Sequence, residues 1–232
     1  MEKHITHTKE LKALSRFLQV LDGSFPSGTF VHSFGLEPHI VLEKVIDIES
    51  LKVFLENLII DQYQKMEFVF SKKIYHLFQQ NSVAEIIKEE RKYSAMLNFE
   101  FAKASTDLGY NYLKHISSDI QKESVREYFE AVKNKKSEGN ELAVLSAYAF
   151  ELDFDIDIFL LLWCKKNIIT ISQAALKISR IKPSDIQAAL FSFDEKIAFY
   201  IDKSGKRIEN FNPLFEEVIY QHKDLEPKMF VT

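Results

Sequence analysis

From Asp47 to Gln80, apolar side chains return every three or four residues, at Leu51, Phe54, Leu55, Leu58, Ile59, Met66, Phe70, Ile74, Leu77 and Phe78. That period gathers them on one stripe of a single bent helix or of two helices end to end, and such a stripe has to be covered by other elements. No stretch of the chain alternates cleanly at period two, and no repeat recurs at a fixed spacing. With 6 Gly and 5 Pro in 232 residues, a turn-rich small-strand barrel is disfavoured, and 46% hydrophobic with 13% aromatic residues disfavours disorder. The expectation is an all-α, single-domain, orthogonal or irregular bundle of about eight to ten helices over residues 1–232. Residues 1–7 are expected as a flexible N-terminus and 225–232 as a C-terminal tail.

Other segments fill in this outline. A first helix is expected from Thr8, a capping residue, with Leu11, Leu14, Leu18 and Leu21 on one apolar face and a stop at Asp22-Gly23. Gly23 to Gly28 reads as a turn around an exposed Phe25. Helix resumes at Thr29 and runs to Glu37, where Pro38 kinks or restarts it. Ser82 caps a segment ending near Arg91, further helices cover about Ser94–His115 and Asp119–Lys133, and Asn134 to Asn140 is a polar loop. Glu141–Leu152 precedes a central helix, Ile156–Leu176, whose first turns are apolar all round. Pro183 opens a segment reaching about Asp202, and Pro213 opens a short last helix.

Charge and cysteine usage bound the function classes. Thirty Lys+Arg against 34 Asp+Glu leave a net charge of −4 without a long block of one sign, which argues against bulk nucleic-acid binding. Cys164 is the one cysteine, so no intramolecular disulfide or multi-cysteine zinc site is open to this chain, in keeping with a reducing, cytoplasmic setting. The longest clean apolar run, Ile158 to Cys164, is far short of the roughly 20 residues that span a bilayer.

Catalytic and cofactor motifs fail one by one. Gly205-Lys206 lacks the first glycine and the Ser/Thr of a phosphate loop. Ser179-Arg180-Ile181-Lys182 and Lys203-Ser204-Gly205 mimic a serine-lysine acylase, yet Ser184-Asp185 is followed by Ile186 where that chemistry needs an asparagine. Asp153, Asp155 and Asp157 open like a calcium loop, but Ile158 and Cys164 occupy the glycine and glutamate positions, so these acids read as a helix N-terminus. The histidines form no metal-binding spacing. No catalytic residue, metal site or cofactor is expected.

What stands out is Phe25-Pro26-Ser27-Gly28-Thr29-Phe30-Val31-His32-Ser33-Phe34-Gly35-Leu36-Glu37, which packs glycines, hydroxyls and three phenylalanines around one histidine. Pro26, Gly28 and Gly35 are turn formers, Gly35 leaving a smooth spot for another backbone, and the aromatics suit contact better than catalysis. Ordinary core packing of a helix hairpin is the alternative. An acid-base pair of His32 with Glu37 or Glu43 would be the enzymatic one.

This string resembles the hallmark of the UreF family of urease accessory proteins, F-P-x-G-[AS]-[FY]-x-H-S-x-G-L-E. The likeness extends to Ala104-Ser105 with Leu108-Gly109 in a mid-chain helix, and to Gln221-His222 ahead of the tail Met229-Phe230-Val231-Thr232. The resemblance implies an all-α protein without catalysis of its own that works in nickel insertion into urease. Its implied partners are UreD (also called UreH) and the GTPase UreG, and through them the urease apoprotein, with homodimerisation and no nucleic acid or membrane. The implied partner-docking residues are Phe25, Phe30, His32, Phe34, Glu37, Lys177, Gln221, His222 and Lys228. A modulating role in GTP hydrolysis would fall to Lys177, Arg180 or Lys228. The chain departs from the family pattern at Arg180 and Lys182-Pro183, at Thr106, Asp107, Tyr110 and Asn111, and at Lys223, Glu226 and Lys228.

Overall fold

In the computed structural model, the structure describes residues 2–27, 35–209 and 229, with the backbone alone for residues 2–7 and for Ile178. Among the described residues every regular element is helical: α1 (Glu2–Val20), α2 (Leu36–Val41), α3 (Ile48–Asn57), α4 (Phe68–Gln79), α5 (Val83–Met96), α6 (Phe99–Ile116), α7 (Glu123–Lys133), α8 (Glu141–Glu151), α9 (Ile156–Ile178), α10 (Pro183–Ser192) and α11 (Asp194–Asp202). A π-helical stretch, Leu58–Glu67, joins α3 to α4, so the long apolar stripe lies on consecutive helical residues. The all-α expectation holds, and the residues gather in two compact units, Met1–Gly28 with Val69–Leu162 and Thr29–Phe68 with Trp163–Thr232.

The first unit packs α6 along α8, with α7 against α5 and α8. Phe17 lies wholly buried among Phe154, Phe159 and Tyr148, with ring centroids 4.9, 5.2 and 5.6 Å away. Burying one such side chain contributes about 1.5–3 kcal/mol. This corrects the expected face of α1. Ala13, Phe17 and Val20 point to the core, whereas Leu11, Leu14 and Leu18 are 53%, 44% and 74% exposed. The helix also begins at Glu2, well ahead of Thr8, so residues 2–7 are helical.

The α6–α8 junction is set by small groups. The Ser105 hydroxyl accepts the N–H of Glu141 at 3.2 Å, in the first turn of α8. At Gly109 a Cβ would lie 1.9 Å from the Gly139 carbonyl oxygen, so only glycine admits that strand of backbone. Tyr110 donates to the Val132 carbonyl at 3.0 Å. The loop after α7 is therefore no solvated seam. Ser137 and Asn140 are buried, and both bond Glu90 of α5.

In the second unit, Asp47 and Ser50 form a capping box at the start of α3. Glu56 of α3 accepts Lys196 at 2.9 Å and the Tyr200 hydroxyl at 3.1 Å, tying α3 to α11; the Lys196 hydrogen bond helps hold its carboxyl below the usual range. Tyr63 meets Trp163 edge-on at 5.0 Å. Cys164 beside it is a free, buried thiol, and burial together with the charge of Glu67 pushes its pKa up.

Several boundaries differ from the sequence reading for local reasons. Ser82 sits at the N-cap of α5, but its hydroxyl donates backward to Gln80 and caps nothing. Asn98, accepting from the Phe101 N–H at 2.9 Å, separates α5 from α6, where one helix from Ser94 was expected. Phe193 breaks the expected helix from Pro183 to Asp202 into α10 and α11. Asp155 does cap α9, through the N–H groups of Asp157 and Ile158 at 2.9 and 3.0 Å. Ile158 in its first turn is 46% exposed rather than buried.

Candidate functional site

The string from Phe25 to Glu37 falls in two places. Its end lies in the second unit, where Gly35 adopts φ 84, a left-handed conformation that glycine takes without a Cβ clash. This turn is what Gly35 supplies at the start of α2. It starts α2 at Leu36, so Pro38 stands in the first turn, where its missing N–H would have had no intrahelical partner. Pro38 thus belongs to a fresh helix start. The stretch of the expected helix before Gly35 lies outside the described residues. His39 donates through Nδ1 to the Gly35 carbonyl at 2.7 Å and meets Phe54 of α3 edge-on at 4.8 Å. Burial draws its pKa down, against the opposing pull of that carbonyl.

Glu37 is 2% exposed, and its Oε1 accepts the backbone N–H of Met229 at 2.7 Å. A buried carboxyl group is costly unless hydrogen-bonded, and this bond from a backbone amide is part of what offsets that cost. The last residue of the hallmark string and the C-terminal tail, 192 positions apart, are therefore joined directly. The Met229 side chain itself is 58% exposed.

The beginning of the string belongs to the first unit. Phe25 was expected to be exposed, but it is half-buried, stacked on Tyr112 at 5.6 Å and edge-on to His115 at 5.4 Å. Asn111 of α6 donates to the Ser27 carbonyl at 2.9 Å and so fixes the turn, a role its residue type alone did not announce. Pro26 is exposed. Lys177 lies exposed in the last turn of α9. Arg180 is also exposed, while the neighbouring Ile181 turns inward. Gly28, Phe30, His32, Phe34, Gln221, His222 and Lys228 fall outside the described residues. Of the proposed acid-base groups, Glu43 is exposed and in a left-handed conformation, φ 55, after α2.

Sequence reading missed Glu90, which the structure places at the centre of the first unit. Its carboxylate accepts from the Tyr128 hydroxyl at 2.8 Å, the Asn140 N–H at 2.7 Å, the Glu138 N–H at 3.2 Å and the Ser137 hydroxyl. Burial nonetheless raises its pKa. Its position was a usable signal, since Ile86, Glu90 and Tyr93 share one face of α5 at spacings of four and three. Among the described residues, no three His, Cys, Asp or Glu side chains gather to hold a metal ion, and no helix is long and apolar enough to cross a membrane.

A sequence model of the UreF family matches residues 45–194, well over half of the chain. The chain belongs to the UreF family. Two relatives carry the name urease accessory protein UreF across nearly their whole length. That of Ureaplasma parvum serovar 3 is 26% identical over 227 residues, 93% of this chain and 94% of the relative. That of Corynebacterium glutamicum is 20% identical over 196 residues, 84% of this chain and 86% of the relative. The residues matched by the UreF model contain Glu90, Ser105 and Gly109, and leave out both Glu37 and Met229. Membership thus rests on the helical framework, independently of the string and tail that first suggested it.

Proposed function

We propose that this UreF-family chain is a non-catalytic scaffold in urease maturation. In this reading it acts in the cytoplasm with UreD/UreH to recruit the GTPase UreG, so that nickel is inserted into the urease active site. It works as a homodimer, and the hallmark string and tail form the docking surface: Phe25, Phe30, His32, Phe34 and Glu37 with Lys177, Gln221, His222 and Lys228. The observation that carries the reading is the hydrogen bond from Met229 N–H to buried Glu37. A chain that ties its tail to the end of its aromatic string by a backbone contact builds one composite surface from two distant segments, which suits holding partners.

The test is recruitment. Tagged protein co-expressed with UreD/UreH and the GTPase should retain all three in one complex. Deletion from Leu225 onward should abolish GTPase recovery, and Glu37→Ala should reduce it while leaving the helical circular-dichroism signal unchanged. Undiminished recruitment by the deleted chain would overturn the assignment.

A further inference from the structure

The first unit holds a cleft of about 410 Å³ between α1, the end of α6 with the loop before α7, and the end of α8, within the size range of small-molecule sites. Its lining carries four cations, Lys9, Lys12, Arg16 and Lys122, against three carboxylates, Asp119, Glu151 and Asp153. The near balance is misleading, because the carboxylates are mostly engaged. Asp153 holds Lys122 at 2.5 Å. Glu151 accepts the backbone N–H groups of Gln121 and Lys122 at 2.8 and 2.9 Å. Asp119 receives only the Gln121 side-chain amide, at 3.4 Å.

The α1 cations are in a different position. Lys9, Lys12 and Arg16 occupy one flank of the helix, three and four residues apart, and all are exposed. Among the described residues none of them forms an ion pair with a carboxylate, and Tyr148 lines the same cleft as Arg16. At 1.5 Å per residue the three charges line up over about 10 Å. That is longer than one phosphate and matches a short chain of them. Arg16 offers a planar donor fork and the lysines act as point charges, the combination that grips phosphoryl oxygens. His115 and Ile116 line the same cleft.

We propose that this cleft binds a small polyphosphate-bearing anion, held by Lys9, Lys12 and Arg16, with Asp119 opposing it. The site is separate from the Glu37–Met229 junction and does not depend on the role in urease maturation.

Isothermal titration of the full chain with inorganic tripolyphosphate tests it, with orthophosphate and citrate as comparisons. Saturable one-to-one binding is expected, tighter for tripolyphosphate than for either comparison and weakened by salt. Lys12→Gln and Arg16→Gln should each lower affinity about tenfold, the scale of one charge-assisted hydrogen bond. Lys103→Gln, which removes an exposed cation of α6 outside the cleft, should leave it unchanged. Asp119→Asn should tighten binding, a direction that mere damage to the fold would not give. Absence of binding, citrate preferred over tripolyphosphate, equal loss with Lys103→Gln, or no gain with Asp119→Asn would overturn the proposal.

Discussion

Glu90 and Glu37 are both buried carboxylates that accept backbone N–H groups, yet they tie the chain over different spans. The partners of Glu90 lie 38 to 50 residues away, on α7 and the loop that follows it. Glu37 accepts the N–H of Met229, 192 residues away. Closing a loop grows costlier with length by only about 0.6 kcal/mol per doubling, so the longer tie adds little to the cost of closure. The chemistry differs as well. Glu90 needs hydroxyls at Tyr128 and Ser137, so its site depends on side-chain identity. Glu37 takes a main-chain N–H, which any residue but proline would supply. A contact made through the backbone at Met229 tolerates change in the side chain at that position.

If the first unit is the rigid partner in this comparison, the largest effect should come from filling the close approach between α6 and the loop. Gly109→Ala places a methyl carbon 1.9 Å from the Gly139 oxygen, which is backbone and has no rotamer by which to escape. The variant should lose about 3 kcal/mol in urea unfolding, at the upper end of overpacking penalties. A loss under about 1 kcal/mol would mean that the loop yields easily and that the contrast with the tail is weaker than argued.

The next effect is at Glu90. Glu90→Gln swaps one acceptor oxygen for an N–H₂ group facing donors, and should cost about 2 kcal/mol. Its pH dependence separates this site from an ordinary surface acid. Because burial raises the folded-state pKa of Glu90, its contribution is fully present below the ordinary carboxyl value and falls as pH rises through the elevated one. Glutamine does not titrate, so the gap between wild type and variant should be wider at pH 5 than at pH 8. Parallel stability curves over that range would remove the argument.

Much of the framework was legible from periodicity. The Leu51 to Phe78 stripe, the central helix from Ile156 and the cap at Asp155 all stand where spacing put them. Periodicity failed on α1, because Leu11, Leu14 and Leu18 make a tidier stripe than Ala13, Phe17 and Val20, and spacing cannot tell which of two apolar faces meets the core. The candidate site was legible in composition but not in connectivity. Glu37 and the tail were both singled out, whereas the bond between them depends on a backbone amide, which carries no sequence signal. Glu90 was hidden by the rule that charged residues face solvent, which holds unless several donors converge on one.

Helix ends were the other blind spot, and they supply the smallest test. Glu43, Asn81, Lys135 and Asp153, none a glycine, take φ of 55, 52, 57 and 51 just past the ends of α2, α4, α7 and α8. Each end closes in the same way. After α7, Lys135 N–H bonds the Val132 carbonyl at 2.9 Å and Lys136 N–H reaches Ala131 at 2.8 Å, the pattern that glycine usually serves. A lysine there is strained by about 1–2 kcal/mol, partly offset because glycine loses more freedom on folding. Lys135→Gly should therefore stabilise the chain by about 0.5–1 kcal/mol, read as a small rise in melting temperature. It acts on the loop that Glu90 holds, so combined with Glu90→Gln the two effects should not simply add. Strict additivity would show that the helix end and the buried carboxylate act on the loop independently, and the first unit would then be a set of separate ties rather than one lock.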